Sequence, residues 1–149
     1  FPVQRVVQAH SSTDSSAQFD GLIKFDGFEI ASDHLKRGET LAMIVYWRAL
    51  MHIDKDYTTF FHLVNLRGET GAGTDTIPHD GKLPTSRWTQ NNRVIDGLML
   101  SIPPDAPPGE YRLEIGWYDR GTMQRLALID TTGENQSDSI IISPIWVGE

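Results

Sequence analysis

Leu83-Pro84-Thr85-Ser86-Arg87-Trp88 is the stretch whose residue types come nearest to a binding chemistry. An indole offers a broad apolar face that can lie on a sugar ring. Arg87, His79 and Asp80 would supply donors and acceptors for the ring hydroxyls. The same residues also suit a structural role. Pro84 and Trp88 could close the open end of a β-sandwich, with the Thr85 and Ser86 hydroxyls capping backbone groups. Large aromatic side chains are most often interior, so closure is the commoner arrangement. His62 is the other candidate. It stands between Phe61 and Leu63 in an apolar run. There an imidazole is either a ligand or proton carrier, or a structural group satisfied by a nearby carbonyl or hydroxyl.

Other chemistries find little support. The five histidines, at 10, 34, 52, 62 and 79, form no HExxH or His-x-His pair, so no metal is expected. Ser86 has neither a Gly-x-Ser-x-Gly turn nor an adjacent His–Asp arrangement, which makes it a poor nucleophile. Asp54, Asp56, Asp75, Asp80, Asp130 and Asp138 recur at loop ends, where a Ca²⁺ ion would find oxygens, but the spacing is not that of an EF-hand. Solvated turn residues are the ordinary reading. Gly71-Ala72-Gly73 is too short for a phosphate loop. Asn135-Gln136-Ser137 matches a glycosylation acceptor, a match that chance supplies often. With no cysteine, disulfides, thiolate metal sites and cysteine nucleophiles are excluded. Neither catalytic residues nor a cofactor are expected, and the chain reads as a non-enzyme.

The formal net charge of -7 argues against nucleic acid or anionic lipid as a partner, since both need a basic surface. No apolar run approaches the roughly 20 residues of a membrane helix, so membrane contact is expected only through segments outside this chain. The sequence opens at Phe1 without Met and reads as an excised or processed segment.

The elements that must position these residues are strands. After the stiff Pro103–Gly109 turn, Tyr111, Leu113, Ile115 and Trp117 point one way, and Arg112, Glu114, Gly116 and Tyr118 the other. Glu39–Ala49 is apolar on both faces, as a central or covered strand is: Leu41, Met43, Val45 and Trp47 against Ala42, Ile44 and Tyr46. Tyr57–Leu66, Arg93–Ile102, Gln124–Ile129 and Ser139–Val147 read as further strands, with Pro144 marking a bulge or edge. Asp20–Ala31 reads as a bulged strand or two short ones, and Arg67–Gly71 as a hairpin. Ser32–Gly38 and Ala72–Asn92 read as irregular. The sum is an all-β, Ig-like sandwich of two antiparallel sheets and about eight strands over residues 18–149. Residues 1–17 are an edge strand and a Ser-rich linker. The predicted core is Leu41, Met43, Val45, Trp47, Phe60, Leu63, Leu98, Leu100, Tyr111, Leu113, Ile115, Trp117, Ile141 and Trp146.

Several motifs in this order resemble a bacterial domain. They are Gly38-Glu39-Thr40-Leu41, Tyr46-Trp47-Arg48-Ala49-Leu50, Asp56-Tyr57-Thr58-x-Phe60-x-His62-Leu63, Leu83-Pro84-Thr85-Ser86-x-Trp88, and Pro103-Pro104-x-x-Pro107-Pro108-Gly109-x-Tyr111-Arg112-Leu113 followed by Gly116-x-Tyr118-Asp119. Over roughly Gln18 to Val147 the chain is similar to the C-terminal, extracytoplasmic β-sandwich of polytopic membrane proteins of the family-39 type, the dolichyl-phosphate-mannose mannosyltransferase-like glycosyltransferases. It departs from them at Trp117, where an aliphatic residue is usual. The resemblance implies an accessory module on the outer face of a bacterial membrane, with the catalytic acids in the absent membrane part. A glycan or a protein would be its partner. The alternative is an Ig-like protein–protein interaction or inhibitor-type scaffold.

Overall fold

A computed structural model describes residues 10–11, 17–129 and 135–149 of the chain. Its strands are β1 (His10–Ser11), β2 (Gln18–Phe19), β3 (Ile23–Ile30), β4 (His34–Lys36), β5 (Thr40–Ala49), β6 (Thr58–Asn65), β7 (Thr70–Thr76), β8 (Arg93–Ser101), β9 (Gly109–Asp119), β10 (Gln124–Arg125), β11 (Leu128–Ile129), β12 (Asn135–Ser137) and β13 (Ile140–Gly148). Two sheets face each other. The first, sheet A, runs β1-β13-β9-β6-β7, with β4 also beside β13 and β10 beside β9. The second, sheet B, runs β12-β11-β2-β3-β5-β8. The sandwich expected from the sequence is therefore present. Among the described residues its segments number thirteen rather than about eight, because six are only two or three residues long. Sheet A is also mixed, since β4 pairs parallel to the end of β13. Among the described residues no helix is long and apolar enough to cross a membrane.

Alternation decides what each long strand buries. β5 is flanked by β3 and the edge strand β8 in sheet B and sends Leu41, Met43, Val45 and Trp47 inward. β9 answers from sheet A with Tyr111, Leu113, Ile115 and Trp117, all buried, as its period of two requires. The Tyr111 hydroxyl turns back to donate to the Pro107 carbonyl at 2.7 Å. This tyrosine corner fastens the Pro-rich turn to the strand it feeds.

Aromatic rings fill the centre. Trp47 meets Trp117 edge to face across the two sheets, with centroids 5.1 Å apart at 71°, and Phe19 and Phe25 pack on Trp47 at 6.1 and 5.8 Å. Such geometry sets the positive edge of one ring on the negative face of another.

Three predicted core residues face elsewhere. β6 directs Phe61 and Leu63 inward, so Phe60 is buried on the outer face of sheet A instead. Its ring lies over Gly116 of β9, its partner in register, and the Arg125 guanidinium covers it at 4.1 Å. In β13 the pairing with β9 slips by one residue between Ile142 and Ile145, around Pro144. Ile140 and Ile142 before the bulge, and Ile145 and Val147 after it, face inward, which leaves Ile141 and Trp146 facing out.

Parts of two segments read as irregular are strands. Ser32–Gly38 contains β4, and Ala72–Asn92 begins inside β7. β7 is Gly-rich for a reason of space. A Cβ on Gly71 would stand 3.0 Å from the Tyr111 ring, and one on Gly73 would stand 3.0 Å from the His62 ring. The expected bulge in β3 is present between Phe25 and Gly27. Upstream of residue 18, β1 pairs with β13 and Ala17 is buried, so sheet and core extend into the segment read as a linker. The edge strand expected over residues 1–8 lies outside the described residues.

Candidate functional site

The loop between β7 and β8 divides the four residues grouped there by sequence. Trp88 is 4 % exposed. Its ring meets Trp117 edge to face at 5.6 Å, and its Nε1–H donates to the Leu83 carbonyl at 3.0 Å. The indole that could have carried a sugar ring thus closes the sandwich. The hydroxyl of Thr85, fully buried, donates to the Lys55 carbonyl at 2.5 Å and accepts the Tyr57 N–H at 3.1 Å. The Ser86 N–H donates to Asp56 at 3.1 Å. These bonds stitch a short 3-10 turn, Thr85–Arg87, to the loop before β6 and are the structural alternative read from the sequence. Arg87 points to solvent.

His79 and Asp80 sit apart from that closure, on a tight turn against β8. His79, Asp80 and Gly81 all take positive φ, at 58°, 55° and 84°. His79 Nε2 lies 2.5 Å from the Ile95 carbonyl and must be the protonated nitrogen, because a carbonyl only accepts. The His79 N–H donates to Asp96 at 3.1 Å. Asp96 was not anticipated. It occupies an inward position of β8 between Val94 and Leu98 and is 4 % exposed. Burial pushes its carboxyl above the usual range, against the lowering effect of the His79 N–H and charge.

His62 lies on the outer face of sheet A. Nε2 is 3.1 Å from Asp75 Oδ1, and the Tyr118 hydroxyl donates to Asp75 Oδ2 at 2.7 Å. Burial acts to raise Asp75. The bonds from Tyr118 and His62, with the charges of His62 and Arg120, outweigh it and hold the carboxyl below the usual range. Tyr118 is raised by burial and then by its bond to that carboxylate. Arg112 and Glu114 pair at 2.9 Å on the same face, and Glu114 stands opposite His62 in register. His62 is thus neither isolated nor in the core.

A second aromatic position escaped sequence reasoning. Trp146 faces outward and stacks on His34 of β4, with centroids 6.3 Å apart at 25°. The signal was present in Pro144, whose bulge reverses the phase of the strand. On the outer face of sheet B, Asp26 gathers Arg48 at 2.9 Å, Lys24 at 3.4 Å and Arg93 at 3.8 Å. Among the described residues no three His, Asp or Glu side chains stand close enough to hold a metal ion.

No protein-family model matches the chain, and no curated protein matches it. Solved structures similar to it include a Niemann-Pick type C2 protein from the Japanese carpenter ant, at 12% identity and TM-score 0.49, covering 85% of this chain and 93% of that one. The C-terminal domain of wzt is similar at 17% identity and TM-score 0.44, over 95% of this chain and 79% of that one. A beta-glucosidase from Listeria innocua is similar at 13% identity and TM-score 0.48, over 85% of this chain but only 16% of the enzyme. These similarities bear on neither ligand nor reaction.

Proposed function

We propose that this chain is a non-catalytic binding module, carried on the extracytoplasmic side of a bacterial membrane glycosyltransferase-like protein, and that it holds a glycan. The observation that carries the reading is the outer face of sheet A. His62, Asp75, Tyr118, Arg112 and Glu114 stand together there on three adjacent strands, β9, β6 and the sheet-edge strand β7. A flat face fixed by backbone ladders positions hydrogen-bonding groups for an extended ligand at little conformational cost. The motif resemblance supports the attachment to a membrane glycosyltransferase. The test is proteinase K treatment of intact spheroplasts expressing the full reading frame. Digestion of this domain from outside supports the placement, and protection until lysis refutes it.

A second reading is favoured by a different feature. β8 ends sheet B and exposes Ile95 at 52% and Met99 at 68%. An edge strand with apolar side chains, even with its Ile95 carbonyl held by the His79 ring, is a template for adding a strand from a partner. A pull-down with the domain as bait, repeated with Ile95→Lys, distinguishes this reading. A partner lost on that substitution supports the interaction scaffold.

A further inference from the structure

We propose that Trp146, His34 and the cleft beside His34 form a subsite for a neutral pyranose ring of a polysaccharide. The proposal rests on the binding-module reading and gives it a place and a ligand class. Trp146 is 38% exposed, whereas the other three tryptophans are at most 4% exposed. Its indole is not a loose surface group. It pairs in register with His34, stacks on that imidazole, and its backbone N–H donates to the Asp33 carbonyl at 2.7 Å. The imidazole braces the indole, their planes 25° apart, and leaves the exposed part of the Trp146 ring for a ligand.

The imidazole is itself held. His34 Nδ1 lies 2.7 Å from Oδ1 of Asp33, a side chain that is almost wholly buried. The His34 N–H donates to the Ser32 hydroxyl at 3.1 Å, and that hydroxyl donates to the His34 carbonyl at 2.8 Å. With Nδ1 engaged by a carboxylate, Nε2 is the ring nitrogen left for a ligand.

Beyond His34 opens a cleft of about 460 Å³ lined by Ser32, Glu39 and Thr40 among others. That size lies within the roughly 300–1,000 Å³ of small-ligand sites. Glu39 spends Oε1 on the Lys36 N–H at 2.6 Å and keeps Oε2. A pyranose has an apolar C–H face and a rim of hydroxyls. The face suits the exposed indole of Trp146, and the rim suits His34 Nε2, Glu39 and Thr40. Charge selects within the class. Asp33, Glu39 and Glu110, the last beside Trp146 in register, outnumber the ammonium of Lys36, and Arg37 is engaged by Glu149 at 3.6 Å. A uronate or a phosphorylated sugar would meet repulsion there.

The test is affinity electrophoresis of the native protein through gels containing mannan, dextran, laminarin or hydroxyethylcellulose, with polygalacturonate as the charged comparison. At least one neutral polysaccharide should retard the wild type. Trp146→Ala should weaken that binding at least tenfold and His34→Ala severalfold, with thermal midpoints unchanged. Trp146→Phe, which keeps a ring, should retain part of the affinity and guards against a misfolded alanine variant. Retardation equal in wild type and Trp146→Ala would overturn this subsite while leaving the binding module standing. Retardation by none of the neutral polymers, or by polygalacturonate alone, would overturn the neutral-pyranose assignment; the pull-down described above then decides the module's role separately.

Discussion

Replacing Trp88 by Ala separates a structural indole from a ligand platform. The side chain is buried, meets Trp117 at 5.6 Å and closes the gap over the aromatic centre of the sandwich. Removing an interior Trp costs about 3–5 kcal/mol in lost burial and cavity. The Leu83 carbonyl also loses its donor, but it lies in a surface loop where water can replace the bond. For a domain of this length each kcal/mol lowers the melting temperature by about 2–4 °C, so a fall of roughly 6–20 °C is expected. That is a large share of the 5–15 kcal/mol typical of a folded domain. Differential scanning fluorimetry reads it, and Trp88→Phe should recover part of the loss. A melting temperature within about 2 °C of wild type would refute the closure argument and return Trp88 to the surface.

Glycines supply a paired test. A Cβ on Gly116 would stand 2.6 Å from the Phe60 ring and 2.7 Å from the Asp138 carbonyl, whereas one on Gly97 meets nothing within 4 Å. Gly116→Ala should lose about 1–3 kcal/mol by overpacking, and Gly97→Ala should be neutral or gain up to ~1 kcal/mol, as read by urea unfolding; equal effects would contradict the packing described. Asp96, raised by burial, is favoured neutral in the folded state, so its ionisation opposes folding as pH climbs from its unfolded value near ~3.9 through its folded value. Asp96→Asn should therefore raise the urea midpoint at pH 7 and do so much less near pH 3; a loss at pH 7 would mean that the carboxylate is needed. Asp75 runs the other way. Held low in the folded state, it contributes stability above its unfolded value near ~3.9 and loses it as pH falls through its folded value. Tyr118→Phe should move its carboxyl resonance titration upward in a ¹³C NMR series, and an unmoved titration would remove Tyr118 from the causes.

The long strands were legible because period-two burial is written in their residues. The inward face of Tyr111 to Trp117 and the doubly apolar β5 came from alternation alone, and Pro144 correctly marked a bulge. What alternation could not provide was phase beyond an irregularity. The slip at Pro144 exchanged inside for outside and turned Trp146 from a core residue into an exposed one. Phe60 and Phe61 are equally apolar; Phe61 shares the inward face with Leu63, and the Phe60 ring takes the space above Gly116 on the outer one. β7 carries no apolar pattern, because its glycines answer to Tyr111 and His62 on neighbouring strands. β4 is three residues long and owes its existence to pairing with β13, far along the chain. In the candidate site, both roles of the Trp88 loop were visible, but choosing between them required knowing that Trp117 waits beneath it. Asp75 and Tyr118 reach His62 only through strand register, which spacing does not reveal.

Iodide quenching of tryptophan fluorescence tests directly which indole this fold reserves for the outside. Iodide cannot reach Trp47, Trp88 or Trp117 in the sandwich described above, but it can reach Trp146. Wild type should show a minor quenchable fraction that disappears in Trp146→Phe and persists in Trp88→Phe. A quenchable fraction that persists in Trp146→Phe and disappears in Trp88→Phe would contradict the account.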